Sequence, residues 1–243
     1  MLKTLFFKTI VFIGCLLVVG CGKRKNEKLA QNYYKLSMAE LSRVVDSSGE
    51  ELLAYKHALD YINKALEQQQ TAEYLAFKAT LLLKLARFDD SKKFFKLALK
   101  EKLTPTLKGE ILNNYACLLA QSNYEQDAFA IWQRLVNDEY YLTPEVAYVN
   151  QGRVLASKTE YQQAKNCFLK AIELAPDYLD AHYYLAILAQ KHGDIALAKN
   201  SISSALYLEP NNKGIQFVAH QLGVETNQVN TSLNAGEPNR QTT

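Results

Sequence analysis

Four histidines and four cysteines hold most of the reactive chemistry this chain could offer. His57, His182, His192 and His220 are scattered. None shows HExxH spacing, and none has a cysteine or carboxylate pair at zinc-ligand distance along the chain. No nucleophile stands beside a base, and glycines occur singly, so no Gly-rich loop cradles phosphate. Catalytic, metal and cofactor-binding residues are therefore expected to be absent, and the chain reads as a non-enzyme. The 28 Lys and Arg against 25 Asp and Glu leave no basic footprint for nucleic acid.

Cys21 is the cysteine in a chemically informative setting. Lys3 and Lys8 give a positive start, an apolar stretch from Thr9 to Val19 follows, and the small Gly20 precedes the cysteine. That order is a secretory signal. The stretch is shorter than the roughly 20 apolar residues that span a bilayer. The ending Val18-Val19-Gly20-Cys21 resembles the lipobox of bacterial lipoproteins, in which the thiol takes a diacylglycerol and becomes the first mature residue. Cys15, after "FIG", is a rival acceptor with a much shorter apolar core. Two or more acyl chains, at about 0.8 kcal/mol per buried methylene, anchor a protein stably. Gly22, where Asp would retain a lipoprotein at the inner membrane, implies the outer membrane, with the body facing the periplasm. Lys23, Arg24 and Lys25 extend the tether and could touch anionic headgroups.

The body that this anchor would hold is helical in pattern and repetitive. A small residue is followed twelve residues later by another: Ala79 and Ser91, Ala116 and Ala128, Gly152 and Ala164, Ala186 and Ala198. Four residues on stands a large apolar side chain, namely Phe95, Trp132, Phe168 or Ile202; three further on stand Ala98, Leu135, Ala171 and Ala205. An earlier copy has Ser37, Ala58, Ile62 and Ala65, with extra residues around "VDSSGEELL" that lengthen its turn. The spacing resembles the tetratricopeptide repeat (TPR), a helix–turn–helix unit of about 34 residues. Small residues at its eighth and twentieth positions let two helices cross closely. Pro176 and Pro210 stand one repeat apart where units end, and Thr104-Pro105 and Thr143-Pro144 read as N-cap plus first-turn proline. Gly193 suits a left-handed turn. Tyr124 falls one residue early against Tyr55, Phe88 and Tyr161, so an altered third turn is expected.

An all-α fold follows: a right-handed superhelix of about five TPR hairpins and a C-terminal capping helix. The expected organisation is a signal peptide at 1–20, a lipidated tether at 21–27, and the superhelix at 28–222. Its units cover about 28–67, 72–102, 105–138, 144–175 and 179–209, with the cap at 212–222. The tail from 223 to 243 is polar and expected to be disordered. Cys117 and Cys167 fall on different helix faces and are expected to be buried or half-buried thiols rather than a redox pair. His182 is expected to be a satisfied core histidine. Asn114 and Asn150, at the sixth position of their units, read as inter-helix hydrogen-bonding groups.

In such a stack the second, fifth, ninth and twelfth positions of the first helices line a concave groove. Tyr34, Met38, Leu41, Thr80 and Leu83 are the candidate partner-binding residues, clustered at the membrane-proximal end. A peptide or helix is the expected occupant. Packing of Met38 and Leu41 as core under the long first turn is the alternative.

A closer resemblance rests on two stretches. Asn113-Asn114-Tyr115-Ala116 is followed by Tyr141-Leu142-Thr143-Pro144 and by Tyr148-Val149-Asn150-Gln151-Gly152. These look like the PilF/PilW family of type IV pilus biogenesis lipoproteins, over roughly residues 15–222. The long first turn and the polar tail depart from that family. The resemblance implies a pilotin that carries the pilus secretin to the outer membrane and promotes its multimerisation. It implies a protein partner, with membrane contact through the lipid and no small-molecule substrate. A generic TPR scaffold for peptidoglycan or outer-membrane assembly complexes is the alternative.

Overall fold

The computed structural model describes residues 26–42 and 51–224. The segment expected to be a signal, Cys21, the expected tether up to Lys25, residues 43–50 and the segment from 225 lie outside the described residues. Within them the protein is all-α. Helix α1 covers 26–42. It is followed by α2 (Glu51–Gln68), α3 (Ala72–Lys84), α4 (Phe88–Ala98), α5 (Pro105–Gln121), α6 (Glu125–Leu135), α7 (Pro144–Ser157), α8 (Tyr161–Leu174), α9 (Leu179–Lys191), α10 (Ile195–Leu208) and α11 (Lys213–Gln221). The chain divides into two compact units at Leu118/Leu119, within α5.

In the first unit the hairpins α1–α2 and α3–α4 are closed at their small residues. Ser37 Oγ donates to the Ala58 carbonyl at 2.6 Å, and Ser91 Oγ donates to the Ala79 carbonyl at 2.7 Å. All four residues are fully buried. Serine satisfies its hydroxyl by bonding across the crossing, so it keeps the close approach without leaving a buried polar group unpaired. Ala58, Ile62 and Ala65 of α2 pack with Ala30, Tyr74 and Leu81; Ala79, Phe95 and Ala98 pack with Leu75, Leu83, Ile111 and Leu118. Part of the inserted "VDSSGEELL" is helix rather than turn. Helix α2 starts at Glu51 and runs 18 residues, against 11 for α4.

In the second unit the corresponding crossing is tighter. A Cβ placed on Gly152 of α7 would lie 2.6 Å from Phe168 Cε1 of α8, inside any real contact. Glycine is required there because the ring of Phe168 occupies the space. Phe168, Ala164 and Ala171 share a core with Val149, Leu155, Ala181 and Leu185, and Ala186, Ala198, Ile202 and Ala205 share the next with Ile215, Val218 and Ala219. Lys158 and Glu125 form an ion pair between the end of α7 and the first turn of α6.

One turn geometry joins the helices of four hairpins. Ala86, Asn123, Thr159 and Gly193 all have positive φ, at 55°, 64°, 62° and 77°. The next amide donates five residues back: Arg87 to Leu82, Tyr124 to Leu119, Glu160 to Leu155 and Asp194 to Ala189. This is the Schellman ending, which satisfies carbonyls left over by the helix. The third turn therefore has the same backbone as the others, against expectation. Tyr124 occupies the N-cap position of α6, half-exposed, and only the aromatic is displaced. Gly223, φ 66°, repeats the geometry after α11, with Val224 N–H on the Ala219 carbonyl.

Helix α11 therefore stands where a further unit's first helix would stand. Counted on from Ala186 by the repeat of about 34 residues, the eighth position is His220, which is exposed; a large polar side chain there cannot make the close crossing that a small residue makes, which suits a capping helix. Gln216 holds the fourth position and donates Nε2–H to the Pro210 carbonyl at 2.8 Å, as His182 does to Pro176. The prolines act as expected, with α8 ending at Leu174 before Pro176 and α10 ending at Leu208 before Pro210. Thr104 caps α5 by accepting the Leu107 N–H at 3.3 Å. Thr143 stands at the N-cap of α7 with Pro144 in its first turn, as expected, but its side chain makes no cap; its carbonyl takes the Val146 N–H instead.

Candidate functional site

The inner face of the first unit is built by α1 and α3. Helix α1 turns Ala30, Ser37 and Leu41 toward α2, which leaves Tyr34 at the edge of that core and Met38 beyond it. Met38 is 49% exposed. Tyr34 is half-buried, its ring 4.9 Å from Tyr74 and 5.2 Å edge-on from Phe77. The Glu73 carboxylate lies close to its hydroxyl. Burial, then the Glu73 charge, push its ionisation far above the ordinary tyrosine value, with Glu110 adding to the effect. Glu73 and Glu110 are the second positions of their units, so this face has an acidic edge along an aromatic and thioether surface.

The remaining candidates are less open. Leu41 is partly buried against the cluster that holds Ala58 and Ile62. Thr80 is half-buried, its hydroxyl donating back to the Ala76 carbonyl at 3.0 Å. Leu83, at 7% exposure, belongs to the α3–α4 core and supports the face from beneath. Sequence reasoning missed the acidic edge. Carboxylates recurring at the second position in Glu73, Glu110 and Asp180 were the available signal.

In the second unit, Arg153 of α7 lies with its guanidinium carbon 4.7 Å above the Tyr184 ring. Phe217 of α11 is largely exposed. In the hairpin edge between α6 and α7, Tyr141 is buried while Tyr140 and Leu142 face outward. Asn113 is buried, and Asn114 and Asn150 are half-buried.

The reactive residues are held quietly. His182 is half-buried and donates Nε2–H to the Pro176 carbonyl at 2.8 Å. His192 stacks on Tyr161 with ring centroids 4.5 Å apart. Cys117 packs into the α3–α4 core and no disulfide joins it to Cys167. Burial pushes the Cys167 thiol up to about 11. No group of three or more His, Cys, Asp or Glu gathers at metal-holding distance among the described residues. No helix among them is long and apolar enough to cross a membrane.

Comparison with known proteins gives three findings. The tetratricopeptide repeat profile matches residues 146–178, which take in most of α7 and all of α8. No curated protein sequence matches the chain. Among solved structures, PilW, described as a widely conserved type IV pilus biogenesis factor, aligns with a TM-score of 0.60 at 21% identity, covering 85% of this chain and 93% of that one. The pilF protein of Pseudomonas aeruginosa aligns at 0.59 and 18%, covering 82% and 85%. A thermophilic TPR protein of Thermus thermophilus aligns at 0.63 and 19%, covering 79% and 98%.

Proposed function

From the tetratricopeptide fold that these alignments share with the chain, we propose that it works by holding a polypeptide, as the lipid-anchored pilotin of a type IV pilus. The partner is the pilus secretin, carried on the outer-membrane lipoprotein route and released into its ring. The observation that carries this reading is the inner face of the first unit. Met38 is open to solvent beside the Tyr34–Tyr74–Phe77 aromatic group. The carboxylates Glu73 and Glu110 border it. Such a surface fits an extended or helical segment that offers an apolar side chain with a lysine or arginine beside it. Support comes also from the lipobox ending at Cys21 and from the Asn-Asn-Tyr and Tyr-x-Thr-Pro stretches. The fold of two pilus biogenesis factors adds to it.

Deletion of the gene tests the reading. Twitching motility and heat-stable secretin multimers should disappear together and return with the intact gene. Secretin multimers that persist at full level would reject it. Recovery of peptidoglycan enzymes in place of secretin, in a pulldown of the lipidated protein, would favour the scaffold reading instead.

A further inference from the structure

The outer stripe of α1 has a composition that the inner groove does not explain. At helical spacing Lys28, Leu29, Asn32, Lys35, Leu36 and Ala39 share one face, and all six are exposed. In later units the third, seventh and tenth positions of the first helix are mostly covered: Tyr74 and Leu81 in α3, Ala181, Leu185 and Leu188 in α9. In α1 these positions are Asn32, Leu36 and Ala39, and they remain open. The stripe holds two lysines and two leucines, Leu29 at 39% and Leu36 at 46% exposure, and no acidic residue. Four residues separate Cys21 from α1.

We propose that this stripe of α1 lies against the anionic lipid surface, so that the first hairpin rests on the membrane rather than hanging free from its anchor. The proposal rests on the reading of Cys21 as the lipidated residue. A tether of four residues reaches about 15 Å at full extension, which keeps α1 within one helix diameter or so of the headgroups. Leu29 and Leu36 would enter the headgroup boundary, with Lys28 and Lys35 against phosphate. Interfacial helices combine apolar and basic side chains in this way. Lipid suits the stripe better than a further hairpin, since Asn32 and the lysines would be costly to bury there. The inner face, a quarter turn or more away at Tyr34 and Met38, stays free for a partner.

The test uses the mature chain from residue 21 with Cys21→Ser, which removes the lipid and leaves the stripe. It should sediment with vesicles containing about a third phosphatidylglycerol in low salt and not with phosphatidylcholine vesicles. The K28E/K35E pair should lower that partitioning by roughly tenfold or more, with helix content unchanged. Trp132, the one tryptophan, is buried, so Leu36→Trp adds a readable probe. Brominated phosphatidylglycerol should quench it, whereas tryptophan placed at Lys93 on α4 should not respond. Equal partitioning of the charge variants, absence of quenching, or a dimer that Leu36→Asp dissolves would overturn the proposal. Acyl mass on Cys21 of the native protein separates the two ideas. Its absence rejects the anchor, while its presence with no vesicle binding rejects only the docked stripe.

Discussion

Replacing Gly152 with alanine sets two physical effects against each other. In an exposed helix, Gly→Ala gains about 1 kcal/mol from lower unfolded-state entropy and better helix propensity. Here the new Cβ would stand 2.6 Å from Phe168 Cε1 and 2.9 Å from Cδ1 and Cζ. The Phe168 ring is 1% exposed within the α7–α8–α9 core. It has no empty space to turn into, so α7 must move away or the ring must leave its rotamer, at about 1–3 kcal/mol. The net expectation for Gly152→Ala is a loss of up to about 2 kcal/mol. A double-mutant cycle isolates the steric part. With Phe168→Leu in place the clash is gone, and Gly152→Ala should then be neutral or stabilising, giving a coupling of at least about 1 kcal/mol. Urea unfolding followed by far-UV circular dichroism measures all four proteins. Stabilisation by Gly152→Ala in the wild-type background, with effects that simply add, would refute the close crossing.

Three further expectations concern single residues. Thr159 is β-branched at φ 62°, so Thr159→Gly should relieve about 1–2 kcal/mol of left-handed strain against roughly 0.5–1 kcal/mol of added unfolded entropy; a clear drop in melting temperature would deny that turn geometry. Gln151 is buried and its Nε2 has no hydrogen-bond partner among the described residues, so Gln151→Leu should stabilise by about 1 kcal/mol, and destabilisation in urea would show the amide to be engaged. The Cys167 thiol, lifted by burial from 9.0 to about 11, should react with iodoacetamide near pH 8 on the order of a hundredfold slower than in the unfolded chain. With the folded value raised, its stabilising contribution is complete below pH 9 and lost as the pH climbs toward 11; peptide mapping of the alkylated cysteine measures the rate.

The fold was legible because its main demand is steric and recurs in phase. Only small residues fit where Ala79 meets Ser91 or Gly152 meets Phe168, and those residues stand out in the sequence at fixed spacing. The turns were legible most directly at Gly193. Asn123 is a residue type that tolerates the left-handed region, whereas Ala86 and Thr159 take the same backbone because the helix-ending hydrogen bonds impose it, and their side chains announce nothing. The displaced Tyr124 points to an altered turn only if the aromatic belongs to the turn, whereas the backbone bonds define it. The inner face was legible by position and less so by exposure. Leu83 and Leu41 fall on its register yet are drawn into adjacent cores, since twelfth positions sit near the hairpin end where neighbouring helices converge. Coupling of Tyr34 to Glu73 joins two helices of different hairpins, and no local spacing encodes it.

Site-specific photocrosslinking tests the grip on another polypeptide most directly. With p-benzoylphenylalanine in place of Met38, irradiation of intact cells should yield an adduct whose mass and peptides identify the secretin. The same probe at Asp60, on the outer face of α2, should yield none. Equal secretin adducts from both positions, or none from Met38 while secretin still assembles, would contradict a partner held on the inner face of the first unit.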